Sequence, residues 1–219
     1  MEILQRVLAL VIGYFCGCFV TGYFYGKSQK VDIRTMGSGN AGLTNTLRTQ
    51  GKAVAGIVLL GDVAKAVLAI WAVRLAFQFI GGVDTTVLEN DMNWVGYMAG
   101  FMAVVGHVFP VYYGFRGGKG VLAAISAIFT LDWRTGCLLL AVFIIIVAVT
   151  RYVSLGSCIA SSLYGFGTLG FVYFMDGDPA GIVCTFIAFF TAALVIYMHR
   201  GNIKRLAAHT EKKLGEKAK

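Results

Sequence analysis

Charge is what this chain has least of. Asp, Glu, Lys and Arg make up only 14% of its 219 residues, against about 25% in ordinary soluble domains. That is too little to coat a water-facing surface. With 58% apolar residues and a mean hydropathy of +0.74, disorder, a collagen-like repeat and a soluble nucleic-acid module are excluded together. The composition is that of an all-α integral membrane protein.

Other absences narrow the chemistry. No internal repeat is visible, which counts against a transporter built from duplicated halves. No G-x-S-x-G elbow occurs, and no His, Asp, Glu and Cys set has zinc spacing. Cytoplasmic acids are nearly limited to Asp32, Glu211 and Glu216, so the carboxylate ladder of a metal-dependent headgroup transferase is missing. The five cysteines lie in apolar runs and read as small hydrophobes. The first apolar stretch exceeds a signal h-region and has no clear cleavage site.

What is present in quantity is apolar sequence. A crossing helix needs about 20 mostly apolar residues, and candidate runs cover 4–25, 53–80, 93–113, 120–150, 154–174 and 180–198. The run 120–150 would be about 46 Å long as one helix, against roughly 30 Å of hydrocarbon. Asp132-Trp133-Arg134 interrupts it, two charges beside an interfacial aromatic. Splitting there gives spans 120–131 and 134–150, seven in all. Lys and Arg then concentrate in 26–52, 114–119, 151–153 and the tail 199–219, while acids such as Asp84, Glu89, Asp91, Asp132, Asp176 and Asp178 fall on the other side. Positive charge faces the cytoplasm, which predicts an outside N-terminus and a cytoplasmic C-terminus, with the tail an amphipathic or frayed helix on the cytoplasmic surface. The net charge of +8 is thereby explained by orientation and anionic lipid, without a nucleic-acid partner.

Three cytoplasmic segments break the apolar pattern. Gly37-Ser38-Gly39-Asn40-Ala41-Gly42-Leu43-Thr44-Asn45-Thr46-Leu47-Arg48 combines glycines that turn amides inward as an anion nest with an arginine fork suited to phosphate. Gly106-His107-Val108-Phe109-Pro110 leads to Gly117-Gly118-Lys119-Gly120, where amides, a helix N-terminus and an ammonium could meet one anion. This is not a Walker A loop, because Gly120 replaces the required Ser or Thr. His107 reads equally as a satisfied histidine or a functional one. The third segment, Arg151-Tyr152-Val153-Ser154-Leu155-Gly156-Ser157, repeats basic and hydroxyl groups at a helix start. Asp62 and Lys65, three apart within the second span, read as a supporting ion pair. The pattern suits electrostatic positioning of a phosphorylated substrate. A transporter or flippase for an organic phosphate is the alternative.

These segments, with Asp62-x-x-Lys65 and His199-Arg200-x-Asn202-Ile203-x-Arg205-Leu206, resemble in order and spacing the bacterial acyl-phosphate-dependent glycerol-3-phosphate acyltransferases, the PlsY type of membrane enzyme. Departures are modest: Leu43 where Ala is usual, Ala66 for Gly, Ala124 for Thr, His209 for Gly, and a longer 81–93 loop. The resemblance implies one seven-helix domain over 1–219 in the bacterial inner membrane, with its active site on the cytoplasmic face. It implies transfer of an acyl group from acyl phosphate to the sn-1 hydroxyl of glycerol 3-phosphate, giving lysophosphatidic acid and inorganic phosphate. No cofactor or metal is expected, and the protein is expected to be a monomer among membrane lipids. None of the three histidines has an aspartate five positions on, so the His-x4-Asp signature of acyl-CoA enzymes is missing.

On this reading Ser38, Arg48 and Lys119 bind phosphate, helped by amides of Gly37, Gly39, Gly117 and Gly118, with His107 and Gly120 alongside. Asn40, Asn45, Ser154, Ser157, His199 and Asn202 orient the glycerol or the leaving phosphate. Ser38, Lys119 and His199 are the catalytic candidates. Two bases are open, substrate phosphate and His199, and a Ser38 acyl-enzyme is a third route, ranked last because no base adjoins Ser38.

Overall fold

The computed structural model describes residues 2–86 and 92–216, all helix and connection. Parts of two sequence expectations, residues 87–91 of the 81–93 loop with Glu89 and Asp91, and residues 217–219 of the tail, lie outside the described residues.

The predicted first span, 4–25, is not one helix. It divides into α1 (Glu2–Gly17) and α2 (Thr21–Ser28), bent by 42° at the break. Close packing causes this. Gly13 and Gly17 lie against the backbone of Ala99 and Ala103, and Gly106 lies against Tyr14 and Cys18, so that no Cβ fits at any of the three. Such small-residue contacts bring helices together where lipid supplies no hydrophobic drive. The break strands the Phe19 carbonyl and the Thr21 amide in the membrane. Lys65 Nζ donates to the first at 2.9 Å, and Asp62 Oδ1 accepts from Thr21 N at 3.5 Å and Oγ1 at 3.1 Å. The predicted Asp62–Lys65 ion pair forms at 2.9 Å, and it closes the broken span.

After a loop comes α3 (Leu43–Thr49), then α4 (Lys52–Gly81) and α5 (Trp94–Val108). The chain turns through Gly117–Gly120 into α6 (Val121–Leu131) and α7 (Trp133–Thr150). The predicted break at Asp132 is a helix cap: its carboxylate accepts from the Arg134 and Thr135 amides. Arg134 then bridges Asp132 and Asp176. Next, α8 (Val153–Ser162) and α9 (Tyr164–Thr168) run into a π-helical segment (Leu169–Met175), followed by α10 (Gly181–Met198) and α11 (Arg200–Ala207).

Among the described residues, five helical stretches are long and apolar enough to cross a bilayer, and the bent α1–α2 pair makes a sixth. Helix α6, with 11 residues, is about 16 Å long and does not reach across roughly 30 Å of hydrocarbon unaided. Inside, Ile70, Val73, Phe77, Val95 and Ala99 join α1, α4 and α5, while Tyr97, Ile128, Leu139, Tyr164 and Cys184 join α5 to α10. Outside, Leu60, Leu68, Phe79, Ile145, Val149 and Phe190 are exposed, an apolar exterior that belongs in lipid.

Candidate functional site

One cavity of about 630 Å³ lies at the end of the bundle where α3, α6, α8, α10 and α11 meet. Gly37, Ser38, Asn40, Asn45, Arg48, His107, Lys119, Gly120, Ser154, Ser157, His199 and Asn202 all line it. Gly39, Gly117 and Gly118 do not.

The 36–42 loop is organised from within. Asn45, at the start of α3, accepts the Ser38 amide at 2.8 Å and donates to the Met36 and Asn40 carbonyls at 3.0 and 2.9 Å. Both its amide protons are taken and its oxygen already accepts one donor, so the geometry makes Asn45 first a brace of the loop, where the sequence suggests a residue that orients glycerol. Asn40 Oδ1 is likewise taken by Gly42 N at 2.9 Å. The Gly39 amide is also spent, on Met36 O at 2.9 Å. Gly37 has φ +57°, and a side chain there would meet Asn45; glycine is required. Arg34 ties this loop to the next, pairing with Asp32 at 2.9 Å and donating to Tyr113 O at 2.9 Å.

The Gly117-Gly118-Lys119-Gly120 turn corrects the sequence reading in one respect. The Gly117 and Gly118 amides are not free for an anion: they donate to Val108 O and His107 O, each at 3.1 Å. What they do is dock the turn against the end of α5. Gly118 packs on the His107 ring and Gly117 on the His107 carbonyl, with no space for a side chain at either. The free donors lie one step on. Gly120, at φ +83°, caps α6 and accepts Ala124 N. Val121 and Leu122 therefore start the helix with unpaired amides, and both line the cavity beside Lys119.

Lys119 Nζ donates to Asn202 Oδ1 at 2.5 Å, and Asn202 Nδ2 donates to Glu211 Oε1 at 2.6 Å. Glu211 also accepts from Ser154 Oγ at 2.8 Å and Arg205 Nε at 2.7 Å. Arg48 approaches the Lys212 and Lys213 carbonyls at 3.4 and 3.5 Å, so the tail folds over the mouth. Helix α11 covers only the first part of the predicted tail helix, and the chain beyond it returns to Arg151 through Leu214. Glu211 and Arg205 were not among the sequence-predicted site residues. The available signal was the first of two acids in a basic tail, nine residues beyond Asn202.

Burial pushes the Lys119 pKa down to about 8, with Glu211 opposing the shift. Burial likewise pushes His199 down to about 4, and the Lys119 charge adds to it. Burial works against ionisation of Glu211, but hydrogen bonds from Asn202, Ser154 and Arg205 prevail and hold its carboxyl below the usual range. His199 Nδ1 lies 2.7 Å from Val195 O. A carbonyl only accepts, so Nδ1 carries the proton and Nε2 keeps its lone pair. Among the described residues no three His, Cys, Asp or Glu side chains gather to hold a metal ion.

Inward from these groups the cavity becomes apolar, with Ile125, Ile128, Leu139, Phe143, Ala160 and Tyr164 along its walls. From Ser154 to Tyr164 this arm is about 15 Å deep at the helical rise per residue. Leu122, Ile125 and Leu140 also line a groove on the outer surface with Val63, Val67 and Phe129, so a wall of these side chains stands between the arm and the lipid-facing exterior. The site can therefore hold an anion at one end and an aliphatic chain at the other.

The family model for glycerol-3-phosphate acyltransferase matches residues 7–209. A glycerol-3-phosphate acyltransferase of Clostridioides difficile (strain 630) is 42% identical over 99% of both chains, and one of Synechococcus sp. (strain CC9902) is 36% identical over 99% of both. Crystal structures of PlsY (YgiH), an integral membrane glycerol 3-phosphate acyltransferase, are also similar. Its glycerol 3-phosphate form has a TM-score of 0.77 at 32% identity, covering 96% of each chain. Its lysophosphatidic acid form has a TM-score of 0.74 at 31% identity, covering 96% of this chain and 95% of that one. With its integral membrane fold and a cavity that joins a cationic mouth to an apolar arm, this chain belongs to the glycerol-3-phosphate acyltransferase family.

Proposed function

We propose that the protein transfers a fatty acyl group from acyl phosphate to the sn-1 hydroxyl of glycerol 3-phosphate, giving lysophosphatidic acid and inorganic phosphate. The observation that carries this reading is the two-ended cavity. Its mouth presents Ser38, Arg48, Lys119 and the first amides of α6, and its other end is an aliphatic arm. Acyl phosphate is an activated mixed anhydride, so its carbonyl needs positioning and oxyanion stabilisation more than further activation. The glycerol 3-phosphate hydroxyl attacks the carbonyl carbon, the Lys119 ammonium and nearby α6 amides stabilise the oxyanion, and the C–O bond to phosphate breaks. Asn202, oriented by Lys119 and Glu211, and His199 through its Nε2 lone pair align the polyol. The hydroxyl proton passes to substrate phosphate, whose second pKa is near 6.

In this reading the short α6, extended by the turn that precedes it, serves as the seventh crossing, with the N-terminus outside and the site at the cytoplasmic face of the bacterial inner membrane. The whole chain is one catalytic domain acting as a monomer. The basic residues around the mouth fit that side.

The deciding experiment supplies palmitoyl phosphate and glycerol 3-phosphate to the purified protein in lipid nanodiscs. Phosphate release matched by lysophosphatidic acid is expected, and palmitoyl-CoA should give neither product. Turnover with the thioester alone would overturn the donor assignment. Counterflow of labelled glycerol 3-phosphate in proteoliposomes without any acylated product would favour a transporter.

A further inference from the structure

The apolar arm is blind at its inner end. Its lining stops at Ile128 on α6, Leu139 on α7, Tyr164 on α9 and Thr191 on α10. Leu131, Thr135, Thr168 and Ala188, about one turn further in on the same helices, take no part in it. Counted from the mouth ends of the helices, the four stops lie roughly 10 to 17 Å deep. Ile128, Leu139 and Tyr164 are buried in one cluster with Tyr97, Cys184 and Ala188, so the arm ends on packed side chains. Sideways it is closed by Leu122, Ile125 and Leu140.

Two features single out Tyr164. It opens α9, and Gly165 beside it is pressed on the Phe189 ring too closely for any side chain, which fixes this end of the wall against α10. Ala160 on α8, about one turn nearer the mouth, and Ala192 on α10 also line the arm, and their small side chains leave its width to a ligand. Behind the floor the interior turns polar. Thr135 and Thr168 are fully buried there, and Thr135 Oγ1 donates to the Asp132 carboxylate. A methyl group driven past Tyr164 would meet oxygens that it cannot bond.

We infer that Tyr164 sets the longest acyl chain the enzyme accepts: its ring stops the terminal methyl, and Ala160 keeps the space in front of it open. The inference deepens the acyl-transfer reading and rests on it for the identity of the chain. It also fixes the shape of the length profile. The donor's tail leaves lipid for an arm that is equally apolar, so each methylene that fits changes kcat/KM little. The first that does not fit forces a packed side chain out of place, and kcat/KM drops about tenfold or more. The profile is a plateau that ends in a step.

Saturated acyl phosphates of graded length, competed in pairs in nanodiscs, locate that step from the ratio of products. Tyr164→Leu should move it to longer chains by about two carbons, at roughly 1.25 Å of zigzag chain per bond of about 1.5 Å. Tyr164→Phe keeps the ring and should leave the step in place. Ala160→Leu fills the last turn of the arm, about 6 Å, and should move the step to shorter chains by about four carbons. A variant that only loosens the fold lowers turnover at all lengths alike and leaves the step where it was, which overturns the assignment for that residue. Alkyl phosphates of the same lengths transfer nothing, so they read the arm without the reaction. They should raise the thermal midpoint up to the same limit, and the limit should move in the same variants. If no acyl phosphate of any length is used while the alkyl-phosphate limit still moves, the reaction is refuted and the stop at Tyr164 stands. A profile without a step, or a step that neither Tyr164→Leu nor Ala160→Leu moves, overturns the proposal.

Discussion

The Lys119 ammonium and the Asn202 amide oxygen meet at 2.5 Å across 83 residues of sequence. That contact joins the turn before α6 to the start of α11 and sets Asn202 between an ammonium and the Glu211 carboxylate. Removing the ammonium takes a cation from the mouth and frees Asn202 to rotate. Lys119→Ala and Arg48→Ala should each lower kcat/KM at least 100-fold, about 2.7 kcal/mol or more of transition-state stabilisation. Folding should persist, because neither side chain packs in the apolar core. Normal turnover by either purified variant would remove that residue from the phosphate cradle.

Lys119 also sets a pH dependence with opposite signs for activity and stability. Its folded pKa is about 8, lowered from the ordinary 10.5 by burial. The ammonium is present below pH 8 and lost above it, so kcat/KM should fall as pH rises through about 8. Between 8 and 10.5 the unfolded chain holds a proton that the folded protein has released, so stability should increase with pH there. Lys119→Arg, whose charge persists, should flatten both trends. A bound phosphate favours the ammonium, so the kcat limb should lie at higher pH than the kcat/KM limb.

Much of the mouth was legible because its residues sit where helices end. Gly37–Arg48, Gly117–Gly120 and Ser154–Ser157 each interrupt apolar runs with glycine and hydroxyls, and lipid-exposed backbone tolerates such sequence only beside a built site. The break after Gly17 was not legible. Cys18, Phe19 and Val20 are as apolar as their neighbours, and the bend depends on α5 backbone packed against Gly13 and Gly17. Asn45 misled for a similar reason: an amide beside a nest reads as a ligand until its bonds to Ser38, Met36 and Asn40 are seen. The same holds for Gly117 and Gly118, whose amides are spent on α5 carbonyls. Glu211 acts through a chain reversal that no local pattern records.

Glu211 gathers Ser154, Asn202 and Arg205, and its carboxyl is held below the usual range. A depressed carboxyl contributes stability above its unfolded pKa of 4.5, and that contribution is lost as pH falls below it. Glu211→Gln keeps the shape but places an amide donor among three donors. It should reduce kcat/KM roughly tenfold, about 1.4 kcal/mol, mainly through KM for glycerol 3-phosphate. Its thermal midpoint should lose part of the wild-type dependence on pH below the unfolded value of 4.5. A variant with unchanged KM and unchanged pH dependence would show that the tail does not organise the mouth.

The donors at the mouth are ammonium, guanidinium, amide and hydroxyl groups, which suit anions and repel cations. Activity should therefore survive exhaustive EDTA treatment. Loss of turnover that Mg²⁺ restores would assign a metal to the substrate phosphates and overturn the purely electrostatic account.

The proposed reaction needs a proton acceptor, and His199 is poorly suited to be it. Its Nδ1–H is committed to Val195 O at 2.7 Å, and burial holds the ring pKa near 4, some two units below the second ionisation of a phosphate monoester. At pH 7 the dianion of glycerol 3-phosphate is the stronger base, and it arrives with the nucleophile. His199→Gln should accordingly lower kcat no more than about tenfold, whereas loss of a general base costs 100- to 10,000-fold. The acid limb of the kcat/KM profile should lie near pH 6 in both proteins. It should shift to lower pH with a phosphorothioate analogue, whose second ionisation is more acidic. An acid limb that ignores the analogue and disappears in His199→Gln would return the base to the protein.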